Sequence, residues 1–110
     1  MSRVWRLYVA DMREFCARVA EYTDGLSREE FEKTQLVYDA TLRNLELIGE
    51  AARHVPEEAR AKAPDIPWRR VVAVRNILIH GYLGIDNDVI WDFVRNEIGK
   101  LLRALEKLDS

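Results

Sequence analysis

The chain has 110 residues, a formal net charge of −2 and one cysteine, Cys16. Its length predicts a single domain over residues 1–110, and the lone cysteine excludes an intramolecular disulfide, while no Cys/His cluster has the spacing of a metal site. Hydrophobic residues at 48% and charged residues at 33% describe a soluble helical protein with no run near the ~18 apolar residues of a membrane span and no signal-peptide core, so a cytoplasmic protein is expected.

At about 100° per residue, Val4, Trp5, Tyr8, Met12, Phe15, Cys16 and Val19 form one apolar stripe, predicting an amphipathic helix from Val4 to about Tyr22. Cys16 lies on that stripe and reads as core. Thr23-Asp24-Gly25 stops the helix, and Ser27-Arg28-Glu29-Glu30 has the form of a capping box, with Ser27 as N-cap and Glu30 reaching back to it.

From about Phe31 to Arg53 the pattern predicts one long helix. Its apolar residues, among them Leu36, Val37, Leu42, Leu45, Leu47 and Ile48, cover an arc too wide for one contact face. Such a helix is expected to be sandwiched between its own chain and a second copy. The remaining sector holds Asp39, Arg43, Glu46 and Glu50, which read either as a solvated stripe or as the source of a carboxylate for an arginine further on. His54 follows, placed to favour the negative end of the helix dipole. A short polar helix over 56–63 is closed by Pro64, Pro67 is expected as the first residue of the next helix, and Trp68 as its anchor in the core.

That next helix carries the most unusual stretch, Arg75-Asn76-Ile77-Leu78-Ile79-His80-Gly81-Tyr82. Asp65 is the last acid before it and Asp86 the first after it, so Arg69, Arg70, Arg75 and His80 share a locally basic window in an acidic protein. Val71, Val72, Val74, Ile77, Leu78 and Ile79 are expected to face the core, with Arg69, Asn76 and His80 on the opposite stripe. Arg75 falls in the middle of the apolar arc. An unpaired charge buried there costs several kcal/mol, so Arg75 either meets a carboxylate, Glu46 or Glu50, or lines a cleft. Arg75 and His80 stand about 140° apart on one helix; two copies face to face bring both onto one ligand. Gly81 weakens the helix end. After Tyr82, Leu83-Gly84-Ile85-Asp86 is a turn with Asp86 as N-cap, and a last core helix is expected from about Val89 to Leu108, with Ile90, Phe93, Val94, Ile98, Leu101, Leu102, Leu105 and Leu108 inward. No repeat, linker or glycine-rich phosphate loop is present.

Arg75-x4-His80 with His80-x-Tyr82, preceded by Ile66-Pro67-Trp68-Arg69 and by Leu47-Ile48-Gly49-Glu50-Ala51, resembles the HepT-like branch of the HEPN superfamily over most of the chain. Gly81 stands where family members often carry an acidic or larger residue. The resemblance implies an all-α fold, an antiparallel bundle of four main helices plus short ones, working as a homodimer. It also implies a metal-independent endoribonuclease toxin that needs no cofactor, encoded beside a minimal nucleotidyltransferase antitoxin that modifies Tyr82. Arg75 and His80 are then the catalytic pair, with Asn76, Arg69 and Glu50 in support around the RNA. The residue types suit this chemistry. Metal-free cleavage needs a base for the 2′-hydroxyl, an acid for the leaving 5′-oxygen and positive charge on the phosphorane-like transition state, and histidine titrates near neutrality while arginine grips phosphate with a bidentate fork. Tyr82 admits three readings: a core ring, a stacking platform for a base, or the modified hydroxyl. A rival for the whole motif is a catalytically silent dimeric module of the same superfamily, with Arg75 and His80 keying an interface and docking a nucleotidyltransferase.

Overall fold

A computed structural model describes residues 4–81 and 84–109. Among them every regular element is helical, as the periodicity predicts. Val4–Thr23 forms α1, Arg28–Lys33 α2, Gln35–Ala52 α3, Glu57–Arg60 α4 and Trp68–His80 α5. Asn87–Asp92, α6, runs through a π-helical turn at Phe93–Glu97 into α7, Ile98–Asp109. Helix α3 is central, packed against both α1 and α5, and α1 in turn packs against α7.

The buried line of α1 is Val9, Met12, Cys16 and Val19, a spacing that keeps one face inward. It is rotated from the expected stripe: Val4 is 52% exposed, and Trp5, Tyr8 and Phe15 are only partly covered. Because α1 touches α3 and α7 together, the dry line is the one between the two contacts. The capping box forms as predicted, Ser27 Oγ accepting from the Glu30 amide and Glu30 Oε1 from the Ser27 amide.

The single long helix expected from Phe31 to Arg53 is two helices. Thr34 adopts φ −87°, ψ 88°, and its hydroxyl donates to the Glu30 carbonyl at 2.8 Å, a local bond of the kind that bends helices. The break seats Phe31, fully buried, against the rings of Tyr38 and Trp91. Leu36, expected on the wide apolar arc, is 81% exposed.

Asp86 caps α6 as predicted, its side chain accepting from the Asp88 amide. The uninterrupted last helix is interrupted by the π turn, where the Ile98 amide reaches back to the Phe93 carbonyl. Its inward face is as expected: Ile90, Phe93, Val94, Ile98, Leu101, Leu105 and Leu108 are buried and Leu102 partly so. Cross-links fasten α6 to its neighbours. Arg28 pairs with Asp88 at 2.6 Å, Arg70 with Asp92 at 2.9 Å, and the Tyr38 hydroxyl donates to Asn87 Oδ1. Exposed pairs of this kind contribute only ~0–1 kcal/mol; their effect is to fix where the chain leaving α5 returns.

Candidate active site

The start of α5 is anchored from below. Trp68 is 7% exposed, its indole nitrogen donates to the Ala63 carbonyl at 3.1 Å, and Arg60 lies over its ring. Pro67 stands one position earlier than expected, as N-cap rather than first helical residue, and its carbonyl accepts from the Val71 amide. Arg60 also donates through Nη2 to Ala52 O at 2.9 Å and through Nε to Val55 O at 3.0 Å. The carbonyl end of α3 is therefore closed by Arg60. His54 instead stacks on Tyr8, centroids 4.7 Å apart, and points Nε2 at Glu50 Oε2 from 3.4 Å.

Arg75 resolves the puzzle of a cation in an apolar arc by meeting a carboxylate. Its side chain is 18% exposed, and Nη2 lies 3.1 Å from Glu50 Oε1, while Nη1 donates to Asn76 Oδ1 at 2.8 Å. Of the two candidate carboxylates, Glu50 is the partner; Glu46 pairs with Arg43 on its own helix. Glu50 also holds Arg53 at 3.1 Å, one carboxylate shared among two guanidiniums and an imidazole. Partial desolvation pushes the Glu50 pKa up, but Arg53 and Arg75, helped by hydrogen bonds from His54 and Arg75, outweigh it and hold the carboxyl below its usual range. The clamp depends on Gly49. A Cβ there would stand 2.2 Å from Arg75 Cβ and 3.0 Å from Val71 O, so the absence of a side chain lets α5 lie against α3 at this level.

The other motif residues point outward. Asn76 and His80 are exposed, as is Arg69, and the side chains of His80 and Arg69 make no hydrogen bond to a described residue. His80 is the last residue of α5, and no hydrogen bond joins it to Arg75. Ile77 and Ile79, expected in the core, are 38% and 40% exposed, because α5 packs extensively only on α3. The basic window is partly neutralised from outside its own segment: Arg70 by Asp92 and Arg75 by Glu50. Among the described residues Arg69 has no ion-pair partner. Tyr82 lies outside the described residues.

The spacing signalled some of what the sequence reading passed over. Glu50, Arg53 and His54 stand at i, i+3 and i+4, one face of a helix, so their convergence was available from register. Arg60 was not, since its link to α3 crosses a loop. Among the described residues no cluster of His, Cys, Asp and Glu is placed to hold a metal ion, and no helix is long and apolar enough to cross a membrane. What the site offers is a held guanidinium whose terminal nitrogens each keep a second N–H, with an open imidazole further along the same helix.

The family model described as Ribonuclease HepT-like matches residues 12–108. The chain is 37% identical over 111 residues to a Thermococcus cleftensis protein named "Probable ribonuclease HepT", covering 98% of each chain. It is 36% identical over 101 residues to "Putative RNase MJ1380" of Methanocaldococcus jannaschii, covering 92% of this chain and 93% of that one. With "Putative RNase TTE0752" of Caldanaerobacter subterraneus it shares 33% identity over 103 residues, 94% and 92% of the two chains. No solved structure matches. An all-helical fold with the Arg75 and His80 motif on one helix, together with a family match over nearly the whole length, defines the class: the chain belongs to the HepT-like ribonuclease family.

Proposed function

We propose that the protein is a metal-independent endoribonuclease whose active site is composite, built from Arg75 and His80 of two copies across a dimer cleft. The observation that carries this reading is the contrast within α5: Arg75 is held by Glu50 and Asn76, while the exposed His80 imidazole makes no hydrogen bond to a described residue. A positioned cation and a free acid–base group are the two parts that phosphodiester transfer to a neighbouring hydroxyl requires. One His80 takes the 2′-hydroxyl proton as that oxygen attacks phosphorus. The bond from phosphorus to the 5′-oxygen breaks, and a second His80 protonates the leaving oxygen. The products are a 2′,3′-cyclic phosphate and a 5′-hydroxyl. Arg75 stabilises charge on the phosphoryl oxygens through its remaining N–H groups, and Arg69 adds attraction for the strand.

Two exposed isoleucines on a helix with one extensive packing partner support pairing of α5 with a second copy, in keeping with the bundle and homodimer expected from the sequence. Regulation follows the same resemblance: a minimal nucleotidyltransferase antitoxin transfers a nucleotidyl group from ATP to the Tyr82 hydroxyl, releasing pyrophosphate, and the added anion repels RNA phosphate from Arg75. Intact mass after incubation with the nucleotidyltransferase and ATP is expected to rise by one or more nucleotidyl units in the wild type and to stay constant in Tyr82→Phe; an increment that survives the substitution contradicts the assignment. The silent-module alternative draws on one fact, that Glu50 already satisfies Arg75 structurally. It is separated from the enzyme reading by cleavage assays of Arg75 and His80 variants.

A further inference from the structure

Beside the Arg75 clamp lies a groove of about 330 Å³ lined by Arg53, Arg60, Arg69, Val72, Ala73 and Asn76. Its arginines come from three places in the chain: just past α3, the end of α4 and the first turn of α5. No carboxylate among the described residues lines it. Arg60 is pinned by its bonds to Ala52 O and Val55 O and by the Trp68 ring, which leaves Nη1 as a donor on a rigid stem. Arg53 uses Nη1 on Glu50. Arg69, exposed and with its side chain unbonded to described residues, closes the set. Arginines from three places in the chain line one concave surface with no acid among its lining residues, an arrangement suited to an anion even with Arg53 paired to Glu50, and fixed donors bind anions with little loss of side-chain freedom.

Asn76 belongs to this groove and, through its bond to Arg75 Nη1, to the clamp as well. On α5, Arg69, Asn76 and His80 share one stripe, and Arg69 lies about 10 Å along the axis from Asn76. An extended polyanion held at Arg75 and His80 and running along that stripe enters the groove. We propose that the groove of Arg53, Arg60 and Arg69 is a subsite for a backbone phosphate of the RNA strand flanking the scissile one. The proposal rests on the ribonuclease reading and deepens it: the substrate is a strand that extends past the cut along the amino-terminal half of α5, and arginines outside the motif contribute to its recognition.

The test compares two substrates sharing one cleavable step: a dinucleoside monophosphate, which has only the scissile phosphate, and an octanucleotide that is deoxy except at the cleaved position. For wild type, kcat/KM is expected to be higher on the octamer. In Arg69→Ala the octamer-to-dimer ratio is expected to fall about tenfold, through KM, the loss of one charge-assisted hydrogen bond, with Arg69→Lys recovering part of it. The slope of log KM against log salt on the octamer is expected to flatten by ~0.7 in Arg69→Ala. A ratio unchanged from wild type overturns the subsite. Equal losses on both substrates also overturn it, since Arg69 then serves the scissile phosphate itself. If wild type cleaves neither substrate, the ribonuclease reading fails first and the subsite with it, an outcome visible before any variant is compared.

Discussion

Glu50 is the residue on which the site turns, since its carboxylate faces Arg53, Arg75 and His54 together. With its pKa lowered in the folded protein, stability from this cluster is present above the ordinary glutamate range and is lost as pH falls through the depressed value. Urea midpoints measured from pH 7 downward are expected to drop more steeply for wild type than for Glu50→Gln, which has no proton to take up; parallel curves contradict a stabilised carboxylate. Glu50→Gln is also expected to lower kcat more than it raises KM, as Arg75 loses its charged orienting partner. Cys16 gives a separate check on the core. Burial pushes its thiol up to about 12, so at pH 8 a thiol reagent is expected to label it only after denaturation, and rapid native labelling contradicts its place on the buried face of α1.

At the scale of elements, the approach of α5 to α3 at Gly49 sets the height of Arg75 over Glu50. Gly49→Ala places a methyl against Arg75 Cβ and Val71 O, atoms that side-chain rotation does not move. The expected cost is ~1–3 kcal/mol, typical of overpacking, read as a lower urea midpoint at unchanged slope, with cleavage reduced beyond what the lost folded fraction explains; a neutral substitution contradicts so close a contact. This contact was not legible in the sequence. Gly49 stood in a recognised motif, but hydrophobic periodicity reports which faces are dry and says nothing of how near two backbones come. The elements themselves were legible where their signals are local: the Ser27 and Asp86 caps, the Trp68 anchor and the inward face of the last helix. Their interruptions were not. A threonine hydroxyl competing for a helical carbonyl at Thr34 and a single π turn after Asp92 leave the apolar pattern almost unchanged. Arg75 was legible as a cation that must meet a carboxylate or line a cleft, because the cost of burying it alone is large, and the structure gives it the carboxylate. Choosing Glu50 over Glu46 needed the relative rotation of α3 and α5, which no single-helix pattern contains.

For the whole molecule, the proposed composite site accounts for the exposed α5 isoleucines and the open His80 through a second copy. Ile77 and Ile79 counted as core by periodicity and are more than a third exposed in one chain; the proposed dimer through α5 would cover them and bring two histidines to one phosphate. Ile77→Glu with Ile79→Glu is expected to convert a dimer to a monomer in sedimentation while keeping helical circular dichroism, and to abolish cleavage; a monomeric wild type contradicts the composite site. The most direct test is cleavage of RNA in excess EDTA by purified wild type beside Arg75→Ala and His80→Ala, with the oligomeric state of each checked by sizing. The expected result is cleavage by wild type alone, leaving 2′,3′-cyclic phosphate and 5′-hydroxyl ends, with both variants reduced by at least about a hundredfold as general acid–base and electrostatic contributions are removed. Equal activity in all three proteins, or none in any, contradicts a catalytic role for this motif.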